Sequence, residues 1–400
     1  MKRRILFVDD EPLVLQGLQR MLRGLRDEWD MQFVSSGPEA LEAMAGQPAD
    51  VVVSDIRMPG MNGAELLQEV ARRHPAAIRM VLSGDAHPEH VLQCVNIAHQ
   101  FLAKPCDAFT LKQALDRVFA LENRLRDATM RCFVSGLSAL PSVPSVYQEL
   151  REKLASPEAS VESVGETLQR DPAMTLKLLQ LVNSASFGLG RQVTHPTQAA
   201  MLLGLETIKT LTLWLHVFKN GPKIQAPGFS LDELARASLQ AGQLARALVR
   251  EERGSRAMQE TAFTGGLLSD IGQLVLAVSD PGTFTQARQL AEREGLQFWQ
   301  AELQLRGFTH ADVGAYLLGL WGLPFDLVEA VAFHHDPSPC VVRGFSAVTA
   351  LHAAVALQAH RGSAPVRGLD PEYLKHANLE GHVESWRDVA AETLSGQPVC

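Results

Sequence analysis

Four short runs of apolar residues near the start of the chain each end beside a polar or charged residue. In chain order the runs are Ile5–Val8, Val51–Val53, Met80–Leu82 and Phe101–Ala103. Runs as uniformly apolar as these are typical of strands buried on both faces, which predicts a doubly wound parallel α/β sheet. Ligands of such sheets bind at the carboxyl ends of the strands. We therefore expect the residues that follow the four runs to lie together at one edge.

The residues that follow these runs suit phosphoryl chemistry. They are Asp9, Asp10, Asp55, Ser83 and Lys104. Carboxylates bind Mg²⁺ through oxygen, and one of them can act as a nucleophile to give an aspartyl phosphate. A lysine neutralises phosphate charge, and a serine hydroxyl donates a hydrogen bond to a phosphoryl oxygen. The alternative is a solvated edge that carries charge without a function, which a single strand end would favour but four compatible ends do not.

At these positions residues 1–122 resemble the receiver domain of two-component response regulators, a flavodoxin-like fold. The matching positions are the acidic pair Asp9-Asp10, the phosphoacceptor Asp55 before Met58-Pro59-Gly60, the hydroxyl of Ser83, the aromatic switch Phe101 and the pair Lys104-Pro105. The resemblance implies a cis peptide bond before Pro105, which only X-Pro pairs tolerate easily. No expected residue is missing, so we expect a domain that a sensor histidine kinase can phosphorylate.

The same resemblance implies a magnesium site around the phosphoacceptor. Asp10, Asp55 and the backbone carbonyl of Arg57 would bind Mg²⁺ directly, and Asp9 would reach it through a water molecule.

A helix is predicted to begin near Asp107 and to continue through residues 123–135 as a helical linker, because nothing breaks the pattern before Ser135-Gly136. A heptad seam is formed by Leu111, Leu115, Val118 and Leu125, and Glu122 and Thr129 interrupt it. Two interpretations remain open: a helix that dimerises or transmits torque, and an ordinary amphipathic helix packed on its own sheet.

From Gly136 onwards, strand-like runs disappear and apolar residues recur at helical spacing, which predicts an all-α domain over residues 136–365. Trp214, Trp299 and Trp321 lie in apolar surroundings and are expected in its core. Residues 366–400 form a C-terminal extension whose apolar positions predict one amphipathic helix that docks on the domain. Those positions are Val383, Trp386, Val389, Ala390 and Leu394.

The helical region resembles HDOD domains over about residues 135–350. Eight phrases agree in order: Leu140-Pro141-Ser142-Val143-Pro144, Arg170-Asp171-Pro172, Leu181-Val182-Asn183-Ser184, Leu202-Leu203-Gly204-Leu205, Gly266 to Gly272, His310 to Leu318, Leu320 to Pro324, and His334-His335-Asp336-Pro337. HDOD domains are in turn similar to the HD phosphohydrolases, whose chemistry needs histidines and aspartates that converge on metal ions and activate water.

Tested residue by residue, that metal site is incomplete in this chain. The His-Asp doublet reads Ser269-Asp270, the preceding helix of residues 231–250 has no histidine, and the closing position holds His352 in place of an aspartate. The residues that remain are Asp270, His310, His334, His335 and His352. A remnant site for Zn²⁺ or Fe is one interpretation. The other is structural, with Asp270 bracing a helix and His334-His335 at a helix end. We expect this domain to fold without metal and to hydrolyse no nucleotide.

Composition narrows the class of protein. The net charge is −8 at pI 5.9, and neither half of the chain is basic, which argues against direct nucleic-acid binding. Five dispersed cysteines without a CxxC motif fit a reduced cytoplasm. We also expect no membrane insertion, because no continuous apolar run reaches the length of a span.

We therefore predict a cytoplasmic phosphorelay response regulator, phosphorylated on Asp55, whose output is a contact between the HDOD domain and an unknown downstream protein. One alternative is a metal-dependent phosphodiesterase or phosphohydrolase of the HD type switched by phosphorylation. Another is a sensor whose helical domain binds a nucleotide messenger. The sequence leaves open whether the chain forms a homodimer.

Overall fold

The computed structural model of the protein describes residues 2–83, 94, 97–137, 140, 144–156, 158–183, 192–205, 208, 224–340, 344–358 and 368–395. The described residues form two compact units. The first spans the chain up to residue 138 and also includes residues 319–322, and the second contains most of the rest of the chain. Two residues named in the sequence analysis, Trp214 and Ser184, lie outside the described residues.

The first unit is a five-stranded parallel sheet with the strand order β2-β1-β3-β4-β5. Its strands are β1 (Arg3–Val8), β2 (Trp29–Val34), β3 (Val51–Ser54), β4 (Ile78–Ser83) and β5 (Gln100–Ala103). Its helices are α1 (Pro12–Met21), α2 (Gly37–Gly46), α3 (Gly63–Arg73), α4 (Ala108–Arg124) and α5 (Ala128–Gly136), with a 3₁₀ turn at Arg23–Leu25. The predicted parallel α/β architecture is confirmed.

The three central strands are buried on both faces, as their uniform apolar runs predict. Side chains in Ile5–Val8, Val51–Val53 and Met80–Leu82 are at most 3% exposed. Such strands cannot alternate between core and solvent, so they fit only a sheet with helices on both faces. Each buried strand gives way to polar residues where it leaves the core, so Asp9 and Asp55 follow directly after the buried parts of β1 and β3.

Arg79 in β4 is an exception that the sequence pattern did not reveal. Its side chain is buried, and the guanidinium donates to the carbonyl oxygens of Ile97 at 2.8 Å, Ala77 at 3.1 Å and Ser135 at 2.6 Å. The His99 ring lies 2.8 Å from the same guanidinium. Burial lowers the pKa of Arg79 to about 10. The last turn of α5 is therefore attached to β4 through one buried cation.

The helix after the sheet is not continuous, so the prediction of an unbroken rod is wrong. Between α4 and α5, residues 125–127 are not helical, and Asp127 starts α5 by accepting a hydrogen bond from the Met130 backbone amide at 2.7 Å. A side-chain cap of this kind offers the backbone a new helix start. Leu111, Leu115 and Val118 of α4 are fully buried, which favours the ordinary amphipathic interpretation.

The second unit is helical in every described element, as predicted. Its helices are α6 (Pro144–Ala155), α7 (Val161–Leu168), α8 (Pro172–Val182), α9 (Pro196–Leu203), α10 (Leu231–Glu251), α11 (Arg256–Leu268), α12 (Ile271–Ser279), α13 (Pro281–Glu294), α14 (Phe298–Arg306), α15 (His310–Leu320), α16 (Phe325–Phe333), α17 (Ala347–Gln358), α18 (Pro371–Ala377) and α19 (Val383–Ser395), with a 3₁₀ turn at Glu380–His382.

The segment Arg256–Ser279, which contains α11 and α12, is long and apolar enough to cross a membrane by length and composition. The segment is not a continuous apolar run, because polar and charged residues such as Gln259, Glu260 and Asp270 interrupt it. Of the most apolar part of this segment, 83% is buried inside the fold. This degree of burial is typical of a core helix.

The C-terminal helices belong to the core of the helical unit, rather than forming an appendage. Trp386 of α19 is fully buried in the same apolar cluster as residues of α10, α11 and α17. Its indole Nε1 donates to Glu252 Oε1 at 2.7 Å, and His382 Nδ1 lies 2.7 Å from the same oxygen. The predicted docking of the amphipathic helix is thus observed.

We predict that Trp386→Ala lowers the free energy of unfolding of the helical unit by about 3–5 kcal/mol, because it removes a large buried side chain and leaves a cavity. The matched control is Phe325→Ala, whose side chain is 53% exposed, with an expected change below about 0.5 kcal/mol. Urea unfolding followed by circular dichroism measures both, and equal midpoints for the two variants would contradict the docking.

Candidate functional site

The first candidate site lies at the carboxyl ends of β1, β3 and β5. The ammonium group of Lys104 donates to Asp9 Oδ2 at 2.5 Å and to Asp55 Oδ1 at 2.7 Å. These three residues are far apart in the sequence and meet because parallel strands end at a common edge. The predicted convergence at this edge is therefore observed for the two carboxylates and the lysine.

The loop after β3 positions the second oxygen of Asp55. Asp55 Oδ2 accepts a hydrogen bond from the Arg57 backbone amide at 2.8 Å. The loop returns so closely that a Cβ on Gly63 would lie 2.0 Å from the Asp55 carbonyl oxygen, so only glycine fits there. Asn62 and Glu65 then form a capping box that starts α3.

Other predicted residues are placed as follows. Asp10 is half-buried beside Asp9, Phe101 is buried, and the bond between Lys104 and Pro105 is cis. The backbone of Ser83 ends β4 opposite Ala103 of β5. The side chain of Ser83 lies outside the described part of the structure.

The electrostatics of this site depend on one cation. Burial by itself lowers the pKa of Lys104, but its hydrogen bonds and charge interactions with Asp55 and Asp9 outweigh burial and raise the pKa above its usual value. The ammonium therefore stays charged and compensates two buried carboxylates. A divalent cation at this edge would take over part of that role, because it would bind the same oxygens.

The second candidate site lies in the helical unit, where four of the predicted residues converge. One ligand atom from each of Asp270, His310, His334 and His335 lies within 4.8 Å of all the others. His310 Nε2 is 2.9 Å from His335 Nε2 and 3.3 Å from Asp270 Oδ1. These residues come from the α11–α12 junction, the start of α15 and the end of α16.

A buried acid supports the central histidine, and sequence reasoning missed it. Glu302 in α14 is fully buried, and its Oε2 lies 2.6 Å from His310 Nδ1 and accepts from the His310 backbone amide at 2.9 Å. Burial alone would lower the pKa of His310, but Glu302 and Asp270 raise it to about 10. No short motif contains Glu302, and its position between Gln300 and Gln304 resembles an ordinary exposed helix position, so the sequence gives no signal of its burial.

The other two histidines of the cluster are held in neutral form. His334 Nδ1 lies 2.7 Å from the Val331 carbonyl oxygen, as expected for an imidazole at a helix end. Burial lowers the pKa of His334 to about 4 and the pKa of His335 well below its usual value, and the charge of neighbouring histidines adds to both shifts.

Two predicted members of the degenerate site do not join the cluster. Ser269 Oγ donates to the Gly266 carbonyl oxygen at 3.0 Å. His352 Nδ1 lies 2.8 Å from the His334 carbonyl oxygen, and its Nε2 accepts from the Asp370 backbone amide at 3.0 Å. Both ring nitrogens of His352 are thus occupied by backbone groups, which is a structural role.

Packing brings the cluster together and shapes its surroundings. A Cβ on Gly272 would lie 1.9 Å from the His310 carbonyl oxygen, so glycine lets the start of α12 touch the start of α15. Trp299, which the sequence placed in the core, is half-buried and stacks on His335 with ring centroids 5.7 Å apart. Phe298 stacks on His310 at 5.9 Å.

A cleft of about 500 Å³ opens beside this cluster, and Asp270 forms part of its wall. Phe229, Phe284 and Phe298 supply an aromatic lining, and Glu233 lies at the same cleft. Asp270 is therefore the member of the cluster that lines this cleft. His335 is also half-buried, whereas His310 and His334 are buried.

Two family models match the chain. Residues 5–116 match the response regulator receiver domain, and residues 140–337 match the HDOD domain. The first match lies within the first compact unit, and most of the second match lies within the second.

Individual relatives share shorter stretches. An uncharacterized protein of Treponema pallidum is 23% identical over 197 residues, which is 49% of this chain and 38% of that protein. The hydrogenase transcriptional regulatory protein HoxA of Cupriavidus necator is 39% identical over 103 residues, 25% of this chain and 21% of that protein. The chain thus spans well under half of the length of these curated relatives.

Among solved structures, the MmoQ response regulator from Methylococcus capsulatus matches with 20% sequence identity and a TM-score of 0.47. The match covers 62% of this chain and 98% of the MmoQ chain.

We predict that Lys104→Met destabilises the first unit by roughly 3 kcal/mol without divalent cations, because Asp9 and Asp55 are left buried without a counter-charge. Millimolar Mg²⁺ should restore much of this loss by binding the same carboxylates. The matched control is Lys112→Met, which breaks an exposed pair with Glu28 and should change stability by no more than about 1 kcal/mol at either Mg²⁺ level. Thermal unfolding with EDTA and with Mg²⁺ measures both variants. If Mg²⁺ stabilises Lys104→Met no more than wild type, Mg²⁺ does not bind these carboxylates.

Proposed function

We propose that this chain, which belongs to the response regulators that join a receiver domain to an HDOD domain, accepts a phosphoryl group on Asp55 from a sensor histidine kinase. The observation that carries the proposal is the contact of Lys104 with both Asp55 and Asp9 at the strand ends. A carboxylate nucleophile beside a fixed cation suits phosphoryl transfer, since the cation offsets charge on the incoming phosphate.

The proposed cofactor of this reaction is Mg²⁺. Asp10, Asp55 and the Arg57 carbonyl would bind it directly, and Asp9 through water, as in the receiver domains that this unit resembles. The acidic edge fits the ion because carboxylate and carbonyl oxygens are the ligands that Mg²⁺ prefers. When bound, Mg²⁺ offsets charge on the phosphoryl group. Lys104 neutralises further charge, and Ser83 is assigned a hydrogen bond to a phosphoryl oxygen.

For the output, we propose that the phosphorylated state is passed from the receiver (residues 1–122) through residues 123–135 to the HDOD domain (136–365 with its C-terminal helices). Ser83 and Arg79 lie on the same strand, and Arg79 holds the end of α5 through the Ser135 carbonyl. A shift of β4 towards phosphate on Asp55 would therefore act on this attachment. Inward rotation of Phe101, next to β4, would act in the same direction.

The HDOD domain is proposed to contact a downstream signalling protein in the cytoplasm, rather than nucleic acid or a membrane. The negative net charge of −8 supports this choice over nucleic acid. The rival function, phosphorylation-switched hydrolysis, would need further metal ligands. Ser269 and His352 are engaged with backbone groups and do not supply them.

We predict that Asp55→Asn abolishes Mg²⁺-dependent labelling by acetyl phosphate, because the amide is no longer a nucleophile. Asp10→Ala should also remove labelling, through loss of the metal ion. Asp116→Asn, at an exposed position of α4, is the matched control and should label as wild type. Phosphate-affinity electrophoresis measures the labelled fraction, and undiminished labelling of Asp55→Asn would exclude it as the phosphoacceptor.

We further predict that beryllium fluoride, bound as a phosphoryl mimic, changes amide hydrogen exchange between Asp107 and Ser135. Coupling between two sites is typically about 1–3 kcal/mol, which corresponds to roughly 5- to 150-fold in an opening equilibrium. The Asp55→Asn protein with the same reagent is the control and should show no change. Identical exchange across this segment in treated and untreated wild type would refute the coupling.

A further inference from the structure

The histidine cluster of the helical unit contains a buried nitrogen without a hydrogen-bond partner in the described part of the structure. His334 Nε2 is buried and has no hydrogen-bond partner among the described residues, whereas Nδ1 of the same ring faces the Val331 carbonyl oxygen. The carbonyl requires a proton on Nδ1, so Nε2 carries a lone pair. A buried acceptor without a partner is costly. The lone pair therefore points to a ligand that accepts electrons.

The neighbouring donors have matching protonation. His310 Nδ1 shares a proton with Glu302, and metal binding would displace the second ring proton and free the lone pair of Nε2. Asp270 Oδ1 and His335 Nε2 lie 3.3 and 2.9 Å from that nitrogen. Two nitrogens bound to one ion at about 2.0–2.1 Å would be separated by roughly 2.9–3.4 Å, depending on the angle between them. The 2.9 Å between the His310 and His335 nitrogens lies at the lower end of this range, and the four ligand atoms all lie within 4.8 Å of one another.

From this geometry we propose that the helical domain binds one divalent first-row transition ion, of the Zn²⁺ or Fe²⁺ class, through Asp270 Oδ1 and the Nε2 atoms of His310, His334 and His335. Three imidazoles select these ions over Mg²⁺ and Ca²⁺, which prefer oxygen. This proposal departs from the expectation, drawn from the sequence, of a domain without metal. It holds a single ion, because Ser269 and His352 are committed to backbone groups.

A cluster held by hydrogen bonds alone explains less of the structure. A protonated His310 would donate to Asp270 or His335 through Nε2, but this arrangement leaves His334 Nε2 without a partner. It also places a charged imidazolium against two other imidazoles. A metal ion satisfies all four donors at once.

Glu302 acts as a positioning residue in this proposal. It fixes the tautomer and orientation of His310 from outside the ligand set, as carboxylates commonly do for metal-bound histidines. The cleft beside Asp270 gives the ion a route from solvent.

The test begins with elemental analysis of the full-length protein, purified without chelator from medium that contains Zn²⁺ and Fe²⁺. About one transition ion per chain is expected, together with a higher unfolding temperature than the chelator-treated protein and its recovery when Zn²⁺ alone is added back. A chain that retains no transition ion and gains no thermal stability from added Zn²⁺ or Fe²⁺ would overturn the proposal.

Variants then locate the ion. His335→Gln and Asp270→Asn should lose it, and Glu302→Gln should bind Zn²⁺ about 10- to 100-fold more weakly. His376→Gln, at an exposed helix position, and Asp10→Asn in the receiver domain should keep it. Loss of the ion in Asp10→Asn with retention in His335→Gln would place it in the receiver domain and overturn the proposal.

X-ray absorption of the wild-type protein gives a readout that requires no variant to fold. A first coordination shell with several imidazoles supports the site, and an all-oxygen shell overturns it. None of these measurements involves phosphorylation, so failure of the metal site leaves the proposed phosphorelay function intact. Failure of Asp55 labelling likewise leaves the proposed metal site intact.

Discussion

The ammonium group of Lys104, placed between the carboxylates of Asp9 and Asp55, is the interaction on which the receiver unit depends. Removal of two carboxylates from water is costly unless a positive charge compensates them. The same requirement makes the edge responsive, because any divalent cation or phosphoryl group that arrives must rearrange these contacts. The three side chains that balance charge at this edge are therefore also the ones that a divalent cation or a phosphoryl group would contact.

Buried charge is handled differently elsewhere in the chain. Arg79 has carbonyl oxygens and the His99 ring around it, so its charge ties β4 to the end of α5. His310 lies between Glu302 and Asp270, whose charges stabilise a proton on its imidazole ring. In both places a buried polar group joins elements that are distant in sequence. Apolar packing alone would define their relative position less well, because it is not directional.

Much of the receiver fold followed from local pattern. Uniformly apolar runs such as Val51–Val53 require burial on both faces, so a parallel sheet and the convergence of Asp9, Asp55 and Lys104 could be predicted without any structure. The amphipathic helix around Trp386 was likewise predictable from its spacing. The continuous rod was not correct, because the cap at Asp127 is a local hydrogen bond that periodicity does not record.

The sequence by itself determined which residue types were available, namely a receiver set without gaps and an HD-like set with Ser269 and His352 at two ligand positions. Only the tertiary structure decided that four members of the second set meet and that Glu302 supports them. The reason is physical: strand ends share an edge by geometry, whereas helices approach each other according to side-chain packing. The close contact that Gly272 allows at His310 has no periodic signal in the sequence.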